Sequence, residues 1–189
     1  MVSCITASIE LATLPRDDLT YLPQSFLLNR ADADLRYPIE IPDPASGRFS
    51  RKDLIPDALF ALEYHTSEGS RYRAFLVEAD RSTEPATSSN FNRKSWRRNL
   101  AQYSRYIGEG LYRVHLKLKS PMLVLNVVTD ENRVAQISRL VEAEAPDLGR
   151  HMLMQMWDDF GPVFAVPKPR VELLGGRWQR AGDIQLRID

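Results

Sequence analysis

Two stretches decide the fold of this chain, Leu54-Ile55-Pro56-Asp57-Ala58-Leu59-Phe60 and Phe75-Leu76-Val77-Glu78-Ala79-Asp80-Arg81. Each is an apolar, strand-like run interrupted by acids, and burying an acid is costly unless something compensates it. Alternate residues of a strand share a face, so Glu78 and Asp80 point the same way. If the two runs pair, Asp57 joins them and three carboxylates converge at one sheet edge. Such a trio either holds a hard divalent cation or repels itself. The pattern therefore predicts a metal-dependent phosphodiester site, or the remnant of one. The plainer reading is that Asp57 opens a strand and Asp80 closes one. Glu78, inside an apolar run where Val or Ile is the ordinary choice, argues against it.

Outward from these runs, Leu54 to Tyr64 and Tyr72 to Arg81 read as strands of a hairpin joined by Thr66-Ser67-Glu68-Gly69-Ser70. Thr6 to Leu14 reads as a short helix stopped by Pro15, and Leu19 to Leu28 as mixed strand or loop. Arg30 to Ser50, with Pro38, Pro42 and Pro44, reads as an irregular surface loop. After a polar stretch from Ser82 to Asn92, Lys94 to Gly108 is predicted helical, with Trp96, Leu100, Tyr103 and Ile107 along one stripe. Met122 to Val128 is a continuous apolar run, the mark of a strand buried on both faces. Glu131 to Ala145 is a helix with Val134, Ile137, Leu140 and Val141 inward. Met152 to Phe160 is open between strand and helix, and Val171 to Trp178 reads as a hairpin around Gly175-Gly176. The order predicts a mixed α/β fold with a central sheet covered on both sides.

At 189 residues the chain suits one domain, here taken as 1–189, with a core of about 5–145 and a strand or hairpin extension over 146–189. Hydrophobic residues at 43% and charged ones at 26% argue against wholesale disorder. Acids and bases balance at 25 each, so only local clustering can indicate a partner. Cys4 is the sole cysteine, which excludes an intrachain disulfide and a cysteine-based zinc site. His65, His115 and His151 lie far apart and form no metal box. With no leader pattern and no long apolar run, a cytoplasmic protein without membrane contact is expected. Oligomeric state is not legible.

The predicted helix carries the second candidate feature. Between Arg81 and Tyr106 the bases are Arg81, Arg93, Lys94, Arg97, Arg98 and Arg105, against one acid, Glu84. Gln102 and Tyr106 share a helix face that borders the apolar stripe, with Arg98 on its near flank and Lys94 further round. A basic helix beside carboxylates suits a phosphate backbone, so Arg93, Lys94, Arg97, Arg98 and Arg105 are candidate nucleic-acid contacts. A solvated helix face is the competing account. Trp96 and Tyr103 are read as core.

Pro56-Asp57, the strand-ending Glu78-Ala79-Asp80, and a following helix with Gln102-Tyr103-Ser104-Arg105-Tyr106 resemble the core of the PD-(D/E)XK nuclease superfamily. More narrowly, Ile55-Pro56-Asp57, then Phe75 to Glu84, then the basic helix resemble the replication-relaxation family of plasmids, phages and mobile elements. The resemblance spans roughly Ile5 to Ala143. It implies a restriction-endonuclease-like α/β fold with a mixed central sheet flanked by helices. It also implies a DNA-associated role, non-catalytic or weakly catalytic, with plasmid or phage replication proteins as partners. The alternatives are an active nuclease dependent on Mg2+ or Mn2+, or a structural or interaction domain whose acids pin an arginine. In the nuclease reading Asp57 and Glu78 ligate the metal, Asp80 adds an oxygen, Lys94 or Arg98 stabilises charge, and Gln102 and Tyr106 position the strand. Active nucleases of this fold end the tripeptide in lysine, where this chain has Asp80. Family members also carry an upstream winged helix, which the resemblance leaves unmatched here, so the chain is expected to correspond to the C-terminal domain.

Overall fold

The computed structural model describes residues 1–43, 46–81, 84–88, 93–159, 167–182 and 184–189. Most of the polar stretch from Ser82 to Asn92, including the Ser82-Thr83 portion of the family-like motif, lies outside the described residues, as does Phe160.

In chain order the elements are α1 (Val2–Thr13), β1 (Leu19–Leu22), α2 (Gln24–Ala31), β2 (Tyr37–Pro42), β3 (Phe49–Leu54), β4 (Ala58–Thr66) and β5 (Gly69–Asp80). Then come α3 (Trp96–Gly108), α4 (Leu111–His115), β6 (Met122–Val128), α5 (Glu131–Glu144), a 3-10 turn over Pro146–His151, β7 (Met152–Met156), α6 (Glu172–Gly175), β8 (Trp178–Gln179) and β9 (Gln185–Leu186). Seven strands form one mixed sheet in the order β1-β4-β5-β6-β7-β8-β9. The β1, β4 and β5 strands run antiparallel, β5, β6 and β7 run parallel, and β8 and β9 return antiparallel. This is the mixed α/β arrangement that the sequence predicts, and it is consistent with the restriction-endonuclease-like fold that the resemblance implies.

The sheet has an apolar layer on each face, which is why its central strand tolerates no solvent-facing residue. Every residue of β6 is buried. On one face Leu76, Val124 and Met152 pack with Trp96, Leu100, Tyr103 and Ile107 of α3 and with Ile137 and Val141 of α5. On the other, Phe60, Phe75, Leu125 and Leu153 pack with Ile5 and Ile9 of α1 and with Leu173 and Leu174 of α6. Among the described residues no helix is long and apolar enough to cross a membrane.

The β4–β5 hairpin forms as expected, with Ala58 opposite Val77 and Thr66 opposite Gly69, whose φ of 113° suits the tight turn. Four expectations need correction. Leu54 belongs to β3, and Ile55 to Asp57 form the passage from β3 into β4. The segment from Arg30 to Ser50 is not wholly irregular, because Tyr37–Pro42 pairs with Phe49–Leu54 as a separate two-stranded sheet. Its prolines mask an alternation in which Ile39 and Ile41 face the core while their neighbours face outward. Val171 to Trp178 is not a hairpin. Glu172–Gly175 is a helical turn, and a Cβ at Gly176 would lie 2.3 Å from the Glu172 carbonyl oxygen, so Gly176 permits the close helix exit. Leu19 to Leu28 is not strand or loop throughout, because the chain enters the helix α2 at Gln24 directly after β1; the open segment from Met152 resolves as β7.

Candidate functional site

The hairpin register places the acids. Asp57 falls one step beyond the Ala58–Val77 pair, at the position that would face Glu78 if the ladder continued. Its backbone N–H donates to the Val77 carbonyl at 3.0 Å, and its Oδ2 accepts the Ala79 N–H at 2.8 Å. Asp57 thus ties the start of β4 to the end of β5 while staying exposed. Glu78 is buried beneath α3, where the Tyr103 hydroxyl donates to its Oε1. Burial pushes the Glu78 carboxyl up to about 8, opposed by the Tyr103 hydrogen bond and reinforced by the charge of Asp57.

Asp80 shares the Glu78 face but is engaged differently. Its Oδ2 accepts from Arg133 Nε at 2.5 Å and from Trp96 Nε1 at 2.6 Å, and both ion-pair partners are almost wholly buried. Arg133 extends the bridge, donating to Gln136 Oε1 at 2.6 Å and to the Glu84 carbonyl, with its guanidinium 5.9 Å from the Trp96 ring centre. The pair therefore ties β5 to α3 and α5. Among the described residues no three His, Cys, Asp or Glu side chains converge to hold a metal, so the expected trio does not assemble.

Lys94 lies just before α3 and pairs with Glu84 at 2.7 Å. Partial burial works against its ammonium, but Glu84, Glu78 and Asp57 hold its pKa above the ordinary value. Lys94 is thus the cation that feels both candidate metal acids. Burial lowers the Arg98 guanidinium and Glu84 opposes that shift, while the Arg98 N–H meets the capping Ser95 Oγ at 3.4 Å.

The remaining predicted residues serve other contacts. Gln102 Nε2 donates to the Asp53 carbonyl at 3.0 Å, fastening α3 to β3. The Tyr106 hydroxyl lies 2.7 Å from His115 Nδ1, fastening α3 to α4. Arg97 grips Glu144 through several contacts, its Nε at 2.8 Å, and Arg105 pairs with Glu109 at 2.7 Å. Arg93 is exposed.

Two residues at the site escaped sequence reasoning. Tyr103 belongs to the core stripe as expected, yet its hydroxyl is the partner of Glu78. Asn126 is the single polar residue in Met122–Val128 and pairs in register with Glu78 on the neighbouring strand. It is fully buried, its Nδ2 donates to the Leu153 carbonyl at 3.0 Å, and its Oδ1 has no protein partner. An amide inside an unbroken apolar run is the signal that would have found it.

The fold is a mixed α/β sheet flanked by helices, consistent with the restriction-endonuclease-like class, with Asp57 just before β4 and Glu78 near the end of β5 at facing positions. Residues 30–118 match the family model described as replication-relaxation. That stretch includes Asp57, Glu78, Asp80, Lys94 and all of α3, and leaves Asn126 and Arg133 outside. No curated protein and no solved structure matches the chain.

Proposed function

We propose that this chain is the DNA-associated domain of a plasmid or phage replication-relaxation protein, and that its acid site cleaves weakly or not at all. The observation that carries the reading is the Asp80–Arg133 pair. Where active nucleases of the resembled superfamily place a lysine, this chain holds a carboxylate whose charge is matched by a buried arginine. That position neither orients a water nor offsets charge on a phosphate in flight. The family match supports the association with replication of mobile DNA.

A second reading, a divalent-metal nuclease, is favoured by Lys94, which is electrostatically coupled to both Asp57 and Glu78. The donor chemistry at those acids fits a hard cation. Asp57 and Glu78 offer carboxylate oxygens, and Asn126, the register partner of Glu78 on β6, contributes an unpartnered buried amide oxygen. A bound Mg2+ or Mn2+ would polarise a phosphate oxygen and acidify a water. Asp57 and Glu78 would hold it, Tyr103 would orient Glu78, and Lys94 would supply the positive charge that Asp80 does not.

Calorimetric titration of Mg2+ and Mn2+, with and without DNA, tests both readings alongside incubation with single-stranded, duplex and supercoiled DNA. DNA binding without cleavage is the expected result. Metal-dependent cleavage that disappears in Asp57→Ala and in Glu78→Ala would establish the nuclease instead. Absence of DNA binding under every condition would remove the DNA-associated role.

A further inference from the structure

We infer that a basic groove at the hairpin end of the sheet, remote from the acids, is where a single nucleic-acid strand lies. The inference rests on the reading above that the chain associates with DNA, and it names a surface that the basic helix does not supply. The groove has a volume of about 930 Å3, and Arg30, Arg71, Arg73, Lys117 and Lys119 line it against one acid, Asp189. That acid is already engaged by Arg16 at 3.2 Å. Arg71 pairs with Glu68, but both side chains are largely exposed, so water and salt weaken the pair. Among the described residues Arg30, Arg73, Lys117 and Lys119 form no ion pair.

The contrast with α3 is one of neutralisation. Lys94, Arg97 and Arg105 are each matched by an acid of the chain, Glu84, Glu144 and Glu109. Three of the five bases at or just before α3 are therefore balanced in space, whereas the groove keeps a surplus of positive charge in a molecule of zero net charge. Leu116 and Leu118 are buried while Lys117 and Lys119 are exposed, and Lys117 adopts a left-handed φ of 51°.

Shape and aromatic content favour a single strand over a duplex. Duplex readout places a protruding helix or ribbon in a groove of the DNA, whereas this surface is itself concave. The hydroxyls of its two tyrosines are occupied, Tyr64 by the Ile188 carbonyl and Tyr72 by Glu63. Arg73 covers the Tyr64 ring, while Tyr72, 47% exposed, shares the lining with Arg30, Lys117 and Lys119. A flat aromatic next to phosphate-binding cations is the elementary unit of sequence-tolerant strand binding. Along β5, Arg71 and Glu78 are separated by roughly 23 Å at the usual strand rise, so a strand in the groove does not sit on the acids.

The test is fluorescence anisotropy of a labelled oligothymidylate strand against the full chain over a range of salt. A groove variant, Arg71→Glu with Lys117→Glu and Lys119→Glu, should lose at least tenfold in affinity. Its log–log salt slope should flatten by roughly 2, near 0.7 for each phosphate contact removed. A variant with the same charge change elsewhere on the surface, Arg51→Glu with Arg139→Glu and Lys168→Glu, should lose less than threefold. Circular dichroism melts confirm that both variants fold. Unchanged affinity and slope in the groove variant would overturn the inference while leaving DNA association intact. Loss of binding in Arg93→Glu with Arg97→Glu alone would move the strand to α3 and overturn it too. Failure of the unaltered chain to bind any strand would overturn both readings. Groove-dependent binding only to phosphatidylglycerol vesicles would replace the strand with a membrane surface.

Discussion

Glu78 and Asp80 stand two residues apart on one face of β5, yet their neighbours give them different fates. Burial without a matching cation raises the Glu78 carboxyl from the ordinary value of 4.5 up to about 8, against the opposing hydrogen bond from Tyr103. The folded state then holds the carboxyl proton more tightly than the unfolded chain. Stability should therefore fall as pH rises through the window from about 4.5 to about 8, with Asp57 and Glu84 adding to the penalty and Lys94 easing it. Glu78→Gln should flatten this dependence, as thermal denaturation across the window would show; parallel pH profiles for variant and parent would refute the assignment. Asp80 instead has a buried cation, and removing that cation leaves a charge without compensation. Arg133→Met should cost about 3–5 kcal/mol in urea denaturation. Adding Asp80→Asn to that variant should recover part of the loss, whereas strictly additive effects would mean that the pair is not coupled. The oddity of Glu78 was legible because its local run is apolar. The partner of Asp80 was not, because Arg133 lies 53 residues away and only the packing of α5 beside α3 brings it near.

Among the elements, α5 and α3 are anchored by similar caps of unequal geometry. Asp130 Oδ1 accepts the Arg133 N–H at 2.8 Å, while Ser95 Oγ accepts the Arg98 N–H at 3.4 Å. Asp130→Ala should cost about 1–2 kcal/mol and Ser95→Ala less, near the lower end of about 0.5 kcal/mol, measured by chemical denaturation. Equal losses would contradict the geometric distinction. The cap of α5 also fixes where Arg133 enters the core, so its loss should propagate to the Asp80 pair. Element legibility followed pattern strength. The stripe Trp96, Leu100, Tyr103 and Ile107 and the apolar run of β6 were readable because each has an unbroken period. The β2 strand was obscured by Pro38 and Pro42, which fit because that strand belongs to a small two-stranded sheet. The helical turn of α6 was misread because Gly-Gly signals a turn without specifying what enters it.

For the whole molecule, sequence order and spatial order distribute charge differently. Six bases in one stretch mark α3 as basic by sequence, but tertiary folding brings Glu144 to Arg97, and Glu109, one helical turn on, pairs with Arg105. The groove cations come from α2, β5 and the segment after α4, and no linear reading joins them. Connectivity also sets an order of assembly. The β4 and β5 strands meet through a two-residue turn, whereas β5 joins β6 only after the chain has travelled through α3 and α4. Closing the short loop loses less chain entropy than closing the long one. The β4–β5 hairpin should therefore gain amide protection first in a pulse-labelled refolding experiment, with β6 and β7 following; simultaneous protection of all four strands would argue against that sequence. Because Glu78 sits on the early strand and Tyr103 and Asn126 arrive with later elements, the nascent chain would carry an ionised glutamate in open water and lose that charge only as the sheet closes. Refolding should accordingly take up a proton near neutral pH, a burst that a pH indicator dye can time against the closure of the parallel half.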